Sequence, residues 1–175
     1  MNLYEQSIAV YRARLNILTG ILTKAESHPK GDALLDARLA QDMHPLATQV
    51  RFVSNLPGEA LPRLTDRSFV SREEEDNPTT LAGAKAMVAA TAELLDSIAL
   101  DELKAADEKI EIALPNGMQF ALTREQYVRD WSLPNFYFHL MTAYSLLRSE
   151  GLEIGKIDFM PHMMAYMTKG PGVSA

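Results

Sequence analysis

The 175 residues contain no cysteine, a single tryptophan and fewer basic than acidic side chains, and each shortage removes a class of function. Without thiols the chain forms no disulfide, no thiolate metal site and no cysteine nucleophile, and it suits a reducing compartment, which points to the cytoplasm. Seventeen Lys and Arg against 23 Asp and Glu leave a net charge of −6, so no nucleic-acid partner is expected. No stretch reaches the roughly 18 uncharged apolar residues that cross a bilayer. Glu5, Arg12 and Arg14 interrupt the opening segment where an export signal needs an apolar run, so no membrane partner is expected either. A Gly-rich phosphate loop, a His-Glu-x-x-His pair and a Gly-x-Ser-x-Gly elbow are also missing, which leaves the common nucleotide, metalloprotease and hydrolase readings without support.

What is present is helical periodicity. Tyr4, Ile8, Tyr11, Leu15, Leu18, Leu22 and Ala25 recur at spacings of three and four, which predicts one long helix to about Glu26. Ser27-His28-Pro29-Lys30-Gly31 stops it, with His28 expected in an exposed loop. After a short amphipathic piece from Ala33 to Leu39, a second helix is expected to start at Pro45 and to end or kink at Pro57 and Pro62. Residues 65–77, rich in charge and poor in periodicity, read as a solvated loop. Asn77-Pro78 then predicts a cap and first turn for a third helix along Leu81, Ala84, Val88, Thr91, Leu95 and Ile98.

Between Lys109 and Leu122 the period falls to two. Ile110, Ile112 and Leu114 alternate before Pro115-Asn116-Gly117, and Met118, Phe120 and Leu122 alternate after it. A three-residue loop ending in a left-handed Gly117 pairs Ile112 with Phe120 and keeps both apolar rows on one face, which a two-residue turn does not. Thr123 and Gln126 have capping-box spacing, and Phe136, Leu140, Ala143 and Leu147 form the stripe of a last helix closed by Gly151. Beyond it lie Lys156 and Asp158, expected to pair and pin the loop, and a Met-rich piece from Met160 to Met167. The whole predicts a mainly α protein, one four-helix domain over 1–167 with a small inserted β-hairpin, followed by a flexible tail over 168–175.

The run from Leu39 to Val50, containing Asp42-Met43-His44-Pro45, together with Pro134 to His139, Thr142-Ala143-Tyr144 and Leu147-Arg148, resembles a domain-of-unknown-function family allied to the DinB/YfiT-like superfamily. Gly151, Gly155-Lys156, Asp158-Phe159 and the opening helix ending in Leu22-Thr23-Lys24-Ala25 extend the resemblance over most of the chain. It implies a DinB-like four-helix bundle, often a homodimer, from a group that includes metal-binding proteins and thiol-dependent transferases. The superfamily's metal centre takes one histidine from the second helix and a His-x-x-x-His pair from the last. Here His139 stands where the pair begins, but Ala143 stands four residues on.

The candidate site follows from these residues. His44 and His139 are candidate ligands for a divalent metal such as zinc or nickel, with Asp42, Gln49 or His162 as the third donor. Asp42, His44, Gln49, Tyr137, His139 and Tyr144 set polar tips beside apolar walls, the composition of a small-molecule pocket, and Asp42 beside His139 would make that imidazole a general base. Trp131, Phe136, Tyr137 and Phe138 read as packing. Three functions are therefore carried forward: a small ligand held in an interhelical pocket, a metal- or thiol-dependent transferase or hydrolase with a degenerate histidine site, and a structural or regulatory homodimer.

Overall fold

A computed structural model describes residues 2–170. Four long helices form the bundle: α2 (Ile8–Ala25), α3 (Leu46–Leu64), α4 (Leu81–Asp96) and α6 (Leu133–Ser149). Helix α3 lies between α4 and α6, while α2 packs chiefly on α4 and touches α3 and α6. The short elements are α1 (Leu3–Gln6), the strands β1 (Lys109–Ala113) and β2 (Gln119–Thr123), α5 (Arg124–Gln126) and α7 (Lys156–Phe159). Among the described residues no helix is long and apolar enough to cross a membrane.

The predicted stripes are the core. Tyr11, Leu15, Leu18 and Leu22 of α2, Val50 and Val53 of α3, Ala84, Val88 and Leu95 of α4, and Phe136, Leu140, Ala143 and Leu147 of α6 are all fully buried. Each large one contributes roughly 1.5–3 kcal/mol of burial. Tyr11 and Phe136 meet edge to face with centroids 5.1 Å apart, and the Tyr11 hydroxyl lies 2.6 Å from that of Ser132. Burial pushes the Tyr11 phenol well above its ordinary pKa, so it stays neutral. The hairpin has the expected register, Ile110 opposite Leu122 and Ile112 opposite Phe120, with Gly117 at φ 87°. Gly151, at φ 93°, ends α6, and Leu152 N–H reaches back to the Leu147 carbonyl.

Several boundaries differ from the periodicity, each for a local reason. The first helix is two, broken at Ser7, whose buried hydroxyl donates to the Leu3 carbonyl at 2.6 Å. Pro45 is the cap of α3 and not its first residue. Helix α3 then runs through Pro57 and Pro62 to Leu64, because Ala60, Leu61 and Leu64 continue its buried face past both. Thr80, not Asn77, caps α4 by accepting from Gly83 N–H at 3.0 Å. His28 is not free in its loop: its ring lies 3.2 Å from the Glu150 carbonyl and ties the end of α2 to the end of α6. Asp158 pairs with Lys24 at 2.6 Å instead of Lys156, so the loop is pinned, by a different partner.

The largest revision concerns residues 65–77, which form a strap across α3. Phe69 lies so close to Gly58 that a Cβ there would fall 2.3 Å from its ring. Asn55 donates to the Arg72 carbonyl at 2.9 Å and accepts from Arg72 N–H at 3.2 Å, and Arg51 donates to the same carbonyl at 2.9 Å. At the end of the chain, Thr168–Gly170 are exposed, and the rest of the tail expected over 168–175 lies outside the described residues.

Candidate functional site

Gln49 sits in the first turn of α3, and His139 on the flank of α6 beside the buried stripe. The two meet in the α3–α6 seam: His139 Nδ1 lies 2.8 Å from Gln49 Oε1, while Gln49 Nε2 donates to the His44 carbonyl at 3.3 Å. That second bond fixes which way the amide points. Its oxygen must face the imidazole, so His139 Nδ1 carries the proton and donates, and Nε2 is left as a bare acceptor.

Aromatic rings enclose this imidazole. Phe52 is 4.7 Å from it by ring centroids, Phe138 is 5.2 Å away nearly perpendicular, and His44 meets the Phe52 ring edge-on at 5.4 Å. The Arg51 guanidinium covers the same Phe52 ring at 4.8 Å. Partial burial, reinforced by the nearby His44, lowers the His139 pKa from 6.5 to about 4. His139 is therefore a neutral imidazole at physiological pH.

The other expected members are placed elsewhere. Asp42 is exposed in the turn before α3 and makes no hydrogen bond or ion pair among the described residues, so the orienting partner of His139 is an amide and not a carboxylate. The pKa shift is correspondingly downward, where a carboxylate neighbour would have raised it. Tyr137 turns towards α2, its hydroxyl accepting from Arg14 Nε at 2.9 Å. Tyr144 packs on Phe159 with centroids 5.7 Å apart. His162 is exposed in the C-terminal segment. Phe52, which touches both the half-buried His139 ring and the exposed His44 ring, was not among the sequence candidates. Its apolar i+3 spacing from Gln49 was the available signal, and it reads as ordinary core.

These positions do not fit a three-histidine metal centre. His44 and His139 both rest against a phenyl ring, Gln49 holds His139 Nδ1, and Ala143 offers no donor. Among the described residues no group of three or more His, Cys, Asp or Glu is placed to hold an ion. The zinc or nickel site expected at His44 and His139 therefore lacks a ligand set here.

A cleft of about 520 Å³ opens next to His44, at the end of the bundle. Arg38, Asp36, Thr48, Glu74 and Asn77 also line it, whereas Asp42, Gln49, Tyr137, His139 and Tyr144 do not. It lies between the turn at 31–36, the start of α3 and the strap, away from the seam where Gln49 meets His139.

No curated protein matches the chain. The crystal structure of a DinB family member protein from Shewanella denitrificans is similar to it at 30% identity and a TM-score of 0.78, over 91% of this chain and 96% of that one. The domain of unknown function DUF1993 matches residues 3–160. With the bundle, the hairpin and the altered histidine positions described above, the chain belongs to the DUF1993 family and has a DinB-like helical fold.

Proposed function

We propose that the chain binds a small organic ligand at the α3–α6 seam, with His139 Nε2 as its polar anchor and Phe52 and Phe138 as apolar walls. The observation that carries this reading is the fixed tautomer: Gln49 accepts from the Nδ1–H, which leaves a neutral, half-buried imidazole with the Nε2 lone pair open. Such a group accepts a hydrogen bond from a ligand hydroxyl, amide N–H or thiol, and serves as a base towards it if the bound group is acidic. His44 stands where the seam meets the neighbouring cleft and gives the ligand room to extend.

Imidazole-resolved nitrogen NMR of His139 tests the anchor. The Nδ1–H tautomer at pH 7 is expected, and the Nε2–H tautomer or an imidazolium would sink the reading. A thermal-shift screen with hydroxyl- and amide-bearing small molecules should then give hits on the wild type that His139→Ala abolishes.

A second reading is a homodimer, favoured by the exposed apolar pair Phe138 and Met141 on α6, which are 60% and 42% exposed. Light scattering at micromolar concentration should return twice the chain mass for the wild type and a monomer for Phe138→Asp.

A further inference from the structure

The bundle and its seam make no use of the Met-rich segment. Four of the nine methionines fall at Met160, Met163, Met164 and Met167, two consecutive Met-x-x-Met units, with His162 inside the first. The composition alone would suit a buried apolar turn, but every residue from Pro161 to Gly170 is exposed, and Met163, Met164 and Met167 each show nearly half of their surface. The backbone over Pro161–Tyr166 is a 3₁₀ turn, in which positions three apart eclipse one another about 6 Å along the axis. Each Met-x-x-Met unit is closed by its own hydrogen bond, Met163 N–H to the Met160 carbonyl at 3.1 Å and Met167 N–H to the Met164 carbonyl at 3.2 Å. Met160 and Met167 flank the 3₁₀ turn and Met163 and Met164 lie within it, so four thioethers are carried on eight consecutive residues. Pro161 and Met164 line one side of a small groove whose other side is Ile17, Gly20 and Ile21 of α2. His162 makes no hydrogen bond or ion pair among the described residues.

We propose that residues 160–167 form a binding site for a soft monovalent d¹⁰ cation, copper(I), ligated by methionine thioethers and assisted by the His162 imidazole. Thioether sulfur is neutral, polarisable and weakly basic, so it discriminates against zinc, nickel and magnesium and in favour of copper(I). Unbranched methionine side chains with three rotatable bonds let sulfurs from neighbouring turns converge on one ion without moving the backbone. Of the nearby cations Lys24 is neutralised by Asp158, while Lys156 and Lys169 are exposed to solvent, where water and salt screen their charge.

The site is independent of the His139 seam, and the experiment separates the two. Full-length protein is titrated against the copper(I)–bicinchoninate complex under reducing, anaerobic conditions, and in parallel with silver(I) by calorimetry. The wild type should withdraw one equivalent of copper(I), with sulfur scatterers in the copper-edge absorption spectrum. Replacing all four methionines by leucine keeps volume and apolarity at three exposed positions and the half-buried Met160, so the thermal midpoint should stay within a few degrees while copper(I) affinity falls at least tenfold. His162→Gln should weaken it several-fold and His139→Ala should leave it unchanged. Failure of the wild type to compete, or undiminished binding by the four-leucine variant, overturns the proposal.

Discussion

Helix α3 has two flanks that carry polar side chains, and they are closed in opposite ways. Towards the strap, Arg51, Asn55 and Arg72 bond one another and the Asn77 side chain, Asn55 meeting both backbone groups of Arg72. Neither arginine forms a close ion pair with a carboxylate among the described residues, although Asp76 acts on Arg72 at longer range, and backbone carbonyls and amide oxygens accept from both. Towards α6, Gln49 and His139 form a single pair and one imidazole nitrogen remains open. A polar cluster that satisfies itself fixes structure, whereas one that leaves a half-buried ring nitrogen unbonded keeps an acceptor to spare.

The comparison is broken most severely at its closed side. Asn55→Ala strips the strap of its paired amide at a 3% exposed position, leaving the Arg72 N–H without its acceptor and the Arg72 carbonyl with Arg51 alone. A loss of about 2–3 kcal/mol is expected by denaturant unfolding, with faster amide exchange over 66–77. The same change at Gln49 should cost less, because its two bonds go to a half-buried ring and, at 3.3 Å, to the carbonyl of an exposed residue, and its signature is a mixed His139 tautomer in NMR.

Gly58→Ala comes next. The new methyl group displaces Phe69 and loses its packing, but helix propensity returns up to about 1 kcal/mol, so a net destabilisation of about 1–2 kcal/mol is expected. A variant as stable as the wild type would mean that the Phe69 contact does not hold the strap.

The open side should show itself in pH. His139 titrates lower in the folded chain than in the unfolded one, so its contribution to stability is whole above about 6.5 and is lost as pH falls towards about 4. After discounting for partial exposure the loss is about 1–2 kcal/mol. His139→Phe should flatten that part of the curve between pH 7 and 4, and an unchanged slope would remove His139 as its source.

The smallest effect belongs to Ser54, whose hydroxyl is the one buried side-chain polar atom without a partner among the described residues. Ser54→Ala should be neutral or stabilising by up to about 1 kcal/mol. A marked loss in a thermal melt would show that the hydroxyl is bonded after all, through water.

Much of the bundle was legible because its cause is local and periodic. Leucines three and four apart must share a helix face, so the stripes of α2, α4 and α6 follow from spacing, and the pairing of Ile112 with Phe120 follows from the loop that Gly117 permits. The proline signals in α3 misled for a related reason. Pro57 and Pro62 are local breakers, and a continuous buried face outweighed them, a balance that depends on what α4 and α6 press against that helix. The strap was unreadable because its order comes from Asn55 and Gly58, residues on a helix whose other face supplies the visible pattern.

In the site, the sequence by itself determined the absences and the inventory: no thiol, His139 on the last helix, Ala143 where a second histidine would stand, and the doubled Met-x-x-Met unit. Only the tertiary structure decided that Gln49 and not Asp42 meets His139, that Tyr137 and Tyr144 face other partners, and that Phe52 lies against both imidazoles. The reason is physical. Periodicity places a side chain on a face of its own helix, but which residue it meets across a seam depends on the axial offset and rotation of two helices, quantities set by the packing of the whole core.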